Sequence, residues 1–299
     1  MAMDSVLVIG NFDGVHRGHA VVIAAARKAA PQSRMVAVTF WPHPMSVIRP
    51  GHAPLLLADL DQRRRLLLAA GCDQVEVVQF TQAVAQWSPA EFVDNVLLPL
   101  HPATIVVGKN FRFGHQAAGD VRTLTQLGRG RYVVEALDLA ALRGGAVSSS
   151  RVRVCLAEGD VVGAGELLGR PFRFTGMVCR GDQRGREMGF PTANVPVPVG
   201  FAVPVDGVYA GWTTLLDHDG APAHERWPAA ISVGTNPTFD GVERRVEAHV
   251  LDRDDLELYD RKISVDFVQR LRGQVKYTGM GALIEQMHRD VDQVRRLLS

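Results

Sequence analysis

Short apolar runs alternate with longer segments of helical periodicity through the first half of the chain. The apolar runs are rich in Val and Ile, as is typical of strands buried on both faces of a parallel sheet. Strands are predicted over Val6–Ile9, Met35–Phe40, Gln74–Val78, Thr104–Val107 and Tyr132–Leu137. Helices are predicted between them over Ala20–Ala30, Asp59–Ala70, Pro89–Leu98 and Asp120–Leu127. This alternation predicts an α/β fold with a doubly wound, Rossmann-like parallel sheet, whose ligands bind beyond the carboxyl ends of the strands.

The pattern changes after about Gly169, where short β segments are separated by turn signals such as Asp206-Gly207 and Asp219-Gly220. Strands are predicted over Phe174–Cys179, Gly207–Thr214, Ala229–Val233, Arg245–Leu251 and Ile263–Leu271. They indicate an antiparallel sheet or small β-barrel. A closing helix is predicted over Ala282–Leu298, with an apolar stripe that is expected to pack against the sheet. Two domains are therefore predicted, 1–169 and 170–299.

Composition narrows the class of protein. A chain of 299 residues is long enough for about two domains, and 46% hydrophobic with 22% charged residues is typical of a globular protein. The net charge of +1, without a basic patch interleaved with aromatic residues, disfavours nucleic acid as a partner. No apolar stretch approaches the roughly 20 residues that cross a bilayer, and no signal-peptide pattern is found. A cytoplasmic protein with no membrane partner is expected, and nothing in the pattern indicates an oligomer.

The cysteine spacing excludes two further kinds of site. Cys72, Cys155 and Cys179 are odd in number and far apart, and no C-x-x-C pair occurs. They predict neither a disulfide framework nor a zinc site.

The most informative stretch is Gly10–His19, between the first predicted strand and the first predicted helix. A glycine-rich turn from strand to helix presents free backbone N–H groups and the positive end of a helix dipole, a combination that binds phosphate. His16 and His19 add two hydrogen-bond donors beside the same anion. A glycine-rich turn alone is common, but H-x-G-H directly after a strand is much rarer and predicts nucleotide chemistry. The other candidate phosphate-binding residues of the turn are Gly10, Phe12, Asp13 and Gly14.

Two other segments supply polar groups for the same chemistry. Gly108–Gly114 follows a predicted strand, and Ser148–Arg153 opens a predicted helix with hydroxyls and fresh backbone N–H groups. The serines are equally explained as helix caps, and Arg153 as a solvated surface residue. A helix dipole contributes roughly 0.3–2 kcal/mol to an anion, whereas enzymes lower barriers by roughly 8–23 kcal/mol, so imidazole and cationic donors must supply much of the effect.

Four segments of this half together resemble the FMN adenylyltransferase module of bacterial bifunctional riboflavin kinase/FAD synthetases: Gly10–His19, Thr39–Pro44, Gly108–Gly114 and Ser148–Arg153. The resemblance implies that His16 and His19 contact the ATP phosphates and act in catalysis with Arg153. It also implies that Asn110 contacts nucleotide or flavin, and that Ser149 and Ser150 act with Arg153 on the phosphate side. The acceptor would be the phosphate of FMN, which is already ionised and needs no general base.

A second dense motif spans Gly181–Asn194. Its glycines allow the backbone to approach an anion closely, although a turn-rich connection explains their spacing equally well. Thr192 and Asn194 are two residues apart, so in an extended segment both side chains point to one face, where their neutral oxygens suit Mg²⁺. Candidate ATP-binding residues here are Gly181, Gly185, Arg186, Gly189, Thr192 and Asn194, the last two also as Mg²⁺ ligands.

Glu247 is the candidate general base. It lies inside a predicted strand, where a charged side chain faces either solvent or a site, and the outward orientation is the more common outcome. Three segments together resemble the riboflavin kinase module: Gly181–Asn194, Asn236–Phe239 and Val246–Asp252. The resemblance implies a small β-barrel that binds Mg-ATP, with Glu247 taking the proton from the 5′-hydroxyl of riboflavin.

Together the two resemblances span nearly the whole chain and imply a bifunctional enzyme. It would phosphorylate riboflavin with ATP to FMN and adenylylate FMN with ATP to FAD, with Mg²⁺ required by both steps. Asn110, Gln116-Ala117 and Asp260 depart from the usual family pattern, and the turn at Asp260 is expected to differ. Two alternatives stay open: only one module is active, or the protein is a flavin-binding regulator without turnover.

Overall fold

The computed structural model describes residues 4–138, 147–180, 189–223, 225–238, 241–253, 255–275 and 277–298. The chain forms two compact units. The first contains the residues up to Pro54 together with Leu60–Ser148, and the second contains Leu55–Asp59 and the chain from Ser149 onward. The second unit is thus discontinuous in sequence. The boundary between functional modules at residues 169 and 170 stays a prediction.

A parallel sheet forms the centre of the first unit. Its strands are β1 (Ser5–Ile9), β2 (Arg34–Trp41), β3 (Gln74–Gln79), β4 (Pro102–Gly108) and β5 (Val133–Leu137). Their order is β3-β2-β1-β4-β5, and every neighbouring pair is parallel. The predicted doubly wound sheet is therefore confirmed. The direction of winding reverses between β1 and β4, and open α/β sheets bind ligands at the carboxyl ends of strands at such a point.

Helices cover both faces of this sheet. They are α1 (Arg17–Ala29), α2 (Pro44–Ile48), α3 (Leu60–Ala69), α4 (Gln82–Ala85), α5 (Pro89–Phe92) and α6 (Val121–Leu127). The single helix predicted over Pro89–Leu98 is instead α5 continued by a π-helical turn over Val93–Leu97 and a 3-10 turn over Leu98–Leu100. Pro99 has no N–H to donate, so the regular α-helical ladder cannot continue through it.

The central strand β1 is buried on both faces. Val6 and Val8 join a core cluster that includes residues of α1 and α3. Leu7 and Ile9 point the other way, into a cluster that includes residues of α5 and α6. The alternating side chains of one short strand therefore hold the helical layers on both sides of the sheet.

An antiparallel sheet dominates the second unit. Its strands are β6 (Phe172–Met177), β7 (Ala193–Pro196), β8 (Gly207–Leu215), β9 (Trp227–Thr238), β10 (Gly241–Val250) and β11 (Lys262–Arg272). Their order is β6-β11-β8-β9-β10-β7. The chain beyond β6 pairs with β7 through a bridge between Cys179 and Asn194, which brings the two edges of the sheet together. The predicted barrel is confirmed, and β7 is a strand that the sequence pattern did not predict.

Helices and one inserted segment complete the second unit. The helices are α7 (Ser149–Glu158), α8 (Val161–Leu168) and α9 (Met280–Leu298). The predicted closing helix is confirmed as α9, whose Val291 and Val294 pack with Phe190 and Ala210. The segment Leu55–Asp59 also belongs here because the N–H of Leu56 donates to the Gly200 carbonyl at 2.7 Å and Leu57 joins the barrel core.

Candidate active sites

The turn between β1 and α1 has an unusual backbone. Phe12, Gly14 and Val15 have φ angles of +48°, +77° and +39°. Glycine tolerates this region, whereas a β-branched residue such as valine is strained in it. The strain is offset by burial, since Phe12 is 2% and Val15 5% exposed. Strained backbone of this kind clusters at functional sites.

His16 and His19 form a reciprocal cap at the start of α1. The backbone N–H of His19 donates to Nδ1 of His16, and the backbone N–H of His16 donates to Nδ1 of His19, each at 3.3 Å. Because each Nδ1 accepts, the proton of each neutral ring lies on Nε2. The H-x-G-H spacing is thus that of a capping box, and it supplies two Nε2–H donors at a helix N-terminus.

Gly18 allows this cap to pack closely. A Cβ at Gly18 would lie 3.1 Å from the His16 ring and 3.2 Å from the carbonyl oxygen of Val147. Any side chain at this position would push against one or the other. The glycine of the motif is therefore required by the space between the imidazole and the segment that leads into α7.

Asp13 differs from its neighbours in the turn. It is 2% exposed, and its Oδ1 lies 3.5 Å from Nη2 of Arg63, which is completely buried. Sequence reasoning missed Arg63 because an arginine on an amphipathic helix is expected to face solvent. The three consecutive arginines Arg63, Arg64 and Arg65 gave no local signal of which one faces inward.

An aromatic cavity of about 770 Å³ lies in the first unit. Its lining includes Phe40, Phe80, Trp87, Phe92, Phe111 and Phe113. Phe111 and Phe113 stack with their centroids 5.4 Å apart and their planes inclined by 14°. Flat apolar walls with few polar groups suit a planar heteroaromatic ligand. Phe40, Phe111 and Phe113 lie within segments that carry the family resemblance. No aromatic residue was predicted to line a cavity, because aromatic residues of a core and of a cavity look alike in a sequence.

The loop after β4 contributes one side of this cavity. Asn110 is exposed in the turn that directly follows the strand. Gly114 has a φ of +75°, and a Cβ there would come within 2.8 Å of Pro89. Gln116 and Ala117 line the cavity and have positive φ angles of 51° and 57°. The contact of Asn110 with nucleotide or flavin stays a prediction.

Ser149, Ser150 and Arg153 lie in the first part of α7. Nε of Arg153 donates to the carbonyl of Leu55 at 2.6 Å. All three residues belong to the second unit, and Val147, which packs against Gly18, belongs to the first. Their contribution to phosphate binding stays a prediction.

In the barrel, three strands align the candidate base with a candidate metal ligand. Glu247 of β10 is directly opposite Asn194 of β7 and Ser232 of β9. Residues paired in this way project from the same face, with Cβ atoms about 4.5–5.5 Å apart. All three line one cavity of about 670 Å³. The carboxylate of Glu247 is therefore part of a cavity wall in the second unit.

Thr192 and Asn194 line the same cavity. Nδ2 of Asn194 lies 3.3 Å from Oγ1 of Thr192 and 3.3 Å from its carbonyl oxygen, and it donates to both. Since the amide nitrogen is used in this way, Oδ1 of Asn194 and the Thr192 hydroxyl are the oxygens that suit a hard cation. Within the described ranges, no cluster of three His, Cys, Asp or Glu side chains could hold a metal ion by itself. The residues fit a cation that arrives with substrate phosphates.

Part of the glycine motif, namely Gly181, Gly185 and Arg186, lies outside the described residues. Gly189 has a φ of +82°, a conformation that glycine adopts without strain. Asp260 has a φ of +58°. Aspartate is one of the few residues that visits this region, so Asp260 keeps a backbone conformation that glycine favours.

Helix α9 closes one side of the barrel cavity. Asp290 is 4% exposed and accepts from Nη2 of Arg272 at 2.7 Å and from its Nε at 3.1 Å. Met287 and Val291 of the same helix add apolar surface to the wall. The buried ion pair therefore holds α9, which carries both polar and apolar residues of the cavity wall, against β11.

His249 follows Glu247 by two residues on β10 and lines the same cavity. Its Nδ1 donates to the carbonyl of Pro191 at 2.9 Å, because a carbonyl can only accept. Burial lowers the pKa of His249, and the bond to Pro191 opposes that shift. The neutral imidazole thus fixes the segment that leads into Thr192.

The cysteines are poor candidates for nucleophiles. Burial is the main cause that raises the pKa of the Cys72, Cys155 and Cys179 thiols, and it raises the pKa of Cys72 to about 11. A thiol with a raised pKa provides little reactive thiolate near neutral pH. The thiols are therefore poorly suited to nucleophilic chemistry in either unit.

The first unit has a parallel sheet with a histidine-capped turn at its switch point, and the second unit is a barrel with a carboxylate in its cavity. Together they define a two-module transferase that acts with nucleotides. The family model described as FAD synthetase matches residues 1–151, and the model described as riboflavin kinase matches residues 168–298. The chain belongs to the bifunctional riboflavin kinase/FMN adenylyltransferase family.

Similar proteins extend over nearly the whole chain. A bifunctional riboflavin kinase/FMN adenylyltransferase from Pseudomonas fluorescens is 37% identical over 98% of this chain and 92% of its own. A protein of the same name from Listeria monocytogenes is 33% identical over the same shares of the two chains. A crystal structure described as a macrolide-efflux protein from Streptococcus pneumoniae is 30% identical, with a TM-score of 0.86 over 99% of this chain and 95% of that one.

Among the helices of the described ranges, none has both the length and the apolar character that crossing a membrane requires.

Proposed function

We propose that this protein makes FAD from riboflavin in two ATP-dependent steps. The second unit phosphorylates riboflavin to FMN and releases ADP, and the first unit transfers AMP from ATP to FMN and releases pyrophosphate. The reciprocal cap of His16 and His19 supports the adenylyl-transfer step. The observation that carries the kinase step is the direct cross-strand pairing of Glu247 with Asn194 in one cavity. It puts a carboxylate beside a neutral oxygen ligand, a combination suited to phosphoryl transfer to an alcohol.

In the kinase step, Glu247 accepts the proton of the riboflavin 5′-hydroxyl while that oxygen attacks the γ-phosphorus of ATP, and ADP leaves. An alcohol needs such a base because its proton must depart as the new P–O bond forms. Thr192 and Asn194 would hold Mg²⁺, which supplies charge neutralisation on the phosphates when it is bound with ATP. The apolar wall formed by Met287 and Val291 suits the flavin ring.

In the adenylyl-transfer step, a phosphate oxygen of FMN attacks the α-phosphorus of ATP, and pyrophosphate leaves. A phosphate monoester has its second pKa near 6, so it is largely ionised at neutral pH and needs no base. The Nε2–H groups of His16 and His19 and the N-terminus of α1 would stabilise the negative charge that builds on the phosphates. The aromatic cavity around Phe111 suits the isoalloxazine ring.

The remaining site assignments are part of the same proposal. We assign ATP or phosphate contacts in the transferase to the backbone of the glycine-rich turn, and to Asn110, Ser149, Ser150 and Arg153. Mg²⁺ is proposed for both steps because it is the cation that usually accompanies substrate phosphates. The cytoplasmic location expected from the sequence stays a prediction.

Chromatography of the flavins formed from riboflavin, ATP and Mg²⁺ tests the proposal as a whole. FMN is expected first and FAD afterwards, and a reaction started from FMN isolates the second step. If neither nucleotide forms, the proposal is wrong. If only one step proceeds, activity is confined to one module, and tight flavin binding without consumption of ATP would indicate a regulator.

A further inference from the structure

Arg63 of α3 is completely buried, and it is among the largest side chains with no exposed surface. Its Nη1 donates to the carbonyl of Phe40 at 3.1 Å, and its Nη2 lies 3.5 Å from Oδ1 of Asp13. The guanidinium also lies over the ring of Trp41, 5.4 Å from the centroid. A charged group is kept in a core only where its partners compensate it. The placement of these partners therefore indicates what the arginine does.

Arg63 connects two segments of the candidate adenylyl-transfer site. Asp13 belongs to the glycine-rich turn, and Phe40 lies near the end of β2, where it lines the aromatic cavity. A second link runs beside the first, because Oγ1 of Thr39 donates to the carbonyl of Asn11 at 3.0 Å. Nη1 of Arg63 lies 3.5 Å from that hydroxyl and so connects both links.

The turn needs support because three of its residues have left-handed backbone conformations. Phe12 and Gly14 flank Asp13, and both have positive φ, as does Val15. Such conformations persist only where the surrounding structure over-determines them. The ion pair between Arg63 and Asp13 is placed to provide this constraint from the core side of the turn.

Asp13 also raises an electrostatic difficulty. It precedes His16 by three residues, so its carboxylate lies in the turn at which a triphosphate would bind. A buried carboxylate is poorly screened and repels phosphate more strongly than an exposed one. The buried guanidinium beside it supplies the compensating positive charge from inside the fold.

We propose that Arg63 is a positioning residue for adenylyl transfer. It holds the glycine-rich turn against the end of β2 and neutralises Asp13, so that the turn can present His16 and His19 to the phosphates. This inference rests on the proposed adenylyl-transfer function of the first unit. It predicts an effect on FAD formation from FMN and none on riboflavin phosphorylation in the second unit.

Replacement of Arg63 by methionine tests the proposal, with Arg64→Met as the matched control. Arg64 is the next residue on the same helix and is exposed. For R63M, we expect kcat for FAD formation to fall about 100-fold, which is the scale of a small misplacement of reacting groups. The KM for FMN should change little because Arg63 does not itself line the aromatic cavity. R64M should behave like the wild type.

A charge rescue tests whether Arg63 acts through Asp13. In R63M the Asp13 carboxylate is left uncompensated, so the double variant D13N/R63M should recover about tenfold of the lost kcat, since the two residues are coupled. The riboflavin kinase rate of each variant, measured in the same full-length protein, should stay within about twofold of the wild type. Because D13N would also relieve a purely structural defect, the unchanged kinase rate and the unchanged KM for FMN are what separate positioning from general loss of structure.

The positioning role of Arg63 can be refuted by either of two variants. An R63M protein with unchanged kcat for FAD formation overturns the inference, as does a parallel fall of both activities. If R63M does not accumulate as folded protein, R63K decides, because lysine keeps the charge but cannot bridge Asp13 and Phe40 with a planar fork; unchanged FAD formation by R63K then overturns it. A wild-type protein that makes no FAD from FMN refutes the proposed function itself.

Discussion

The imidazole rings of His16 and His19 stack with their centroids 3.6 Å apart and their planes inclined by 13°. The ring of Phe12 meets His19 edge-on, with centroids 5.0 Å apart. Two hydrogen bonds from backbone N–H groups to the Nδ1 atoms add to these contacts, and together they fix both rings at the start of α1. Donors that are fixed in advance stabilise a developing charge without reorganisation. The stacking is therefore a direct structural reason to expect both histidines to act on phosphate.

Replacement of His19 by alanine should remove one donor and also release the ring of His16 from its partner. We expect kcat for FAD formation from FMN to fall about 10²–10³-fold, the usual effect of removing one donor to a developing charge. FMN formation from riboflavin should be unaffected because it occurs in the other unit. Separate assays of the two half-reactions check this.

His101→Asn is a suitable control for that experiment. His101 is exposed and directly precedes β4, at the end of the sheet opposite to the carboxyl ends of the strands. Its φ is +52°, and asparagine tolerates this conformation. Equal losses of both activities in H19A, or a loss in H101N, would contradict the assignment of His19.

Glu247→Gln should remove the base of the kinase step with little change of shape. A general base contributes about 10²–10⁴-fold, so FMN formation from riboflavin should fall by that amount. FAD formation from supplied FMN should continue at the wild-type rate. Glu257→Gln, an exposed position that does not line the cavity, is the matched control and should leave both rates unchanged. Retained kinase activity in E247Q would assign the base to another group.

Phe111→Ala should weaken flavin binding in the first unit. Phe111 stacks with Phe113 on the wall of the aromatic cavity, and the loss of such a contact amounts to about 1.4 kcal/mol, or roughly tenfold in affinity. The expected result is a KM for FMN raised about tenfold with an unchanged KM for ATP. Phe111→Tyr keeps the ring and should restore the KM for FMN. A change confined to the KM for ATP would place the nucleotide, not the flavin, against this wall.

Asp290→Asn should loosen α9 from the barrel. Removing one partner of a buried ion pair costs roughly 3–5 kcal/mol, and the lower end is expected here because the Arg272 side chain is 20% exposed. Hydrogen exchange over Met280–Leu298 should accelerate strongly. Asp292→Asn on the same helix breaks only an exposed pair with Arg295 and should have little effect. Equal protection of α9 in D290N and the wild type would refute the anchoring role of this pair.

The sequence predicted the features that local pattern determines. No residue of β1, from Ser5 to Ile9, is more than 6% exposed, because the strand is buried on both faces. Such a strand is recognisable in the sequence as an apolar run. The H-x-G-H spacing is equally local, since a capping box requires residues three apart. Glu247 could be singled out by its resemblance to a family, but only the register with Asn194 places its side chain on a cavity wall.

Features that depend on distant partners could not be predicted. Arg63 faces inward because Asp13 and Phe40 are there to receive it. Leu56 joins the second unit through its pairing with Phe201, far along the chain. Strand β7 is only four residues long and ends at Pro196, so its pairing with β10, rather than its composition, makes it a strand.

His249 provides a pH-dependent test of the barrel site. Burial is the main cause that lowers its pKa, so the folded protein takes up a proton at this ring only at a lower pH than the unfolded chain does. Above the unfolded pKa of about 6.5 both states are neutral there, and the ring makes no contribution to the pH dependence. As the pH falls below that value the unfolded state binds the proton first, so the second unit loses stability.

Nuclear magnetic resonance titration of the His249 ring, assigned by comparison with H249N, measures this pKa directly. A midpoint below about 6.5 is expected, and a midpoint at or above it would contradict the buried, neutral ring.

Asparagine at position 249 can still donate near the position of Nδ1 but does not titrate, so H249N should lose less stability than the wild type on acidification. Since the Nδ1 bond holds Pro191 beside Thr192, replacement by phenylalanine, which cannot donate, should raise the KM for ATP in the kinase step, while H249N should largely preserve it. Equal KM values for the phenylalanine and asparagine variants would show that this hydrogen bond does not position the ATP-binding segment.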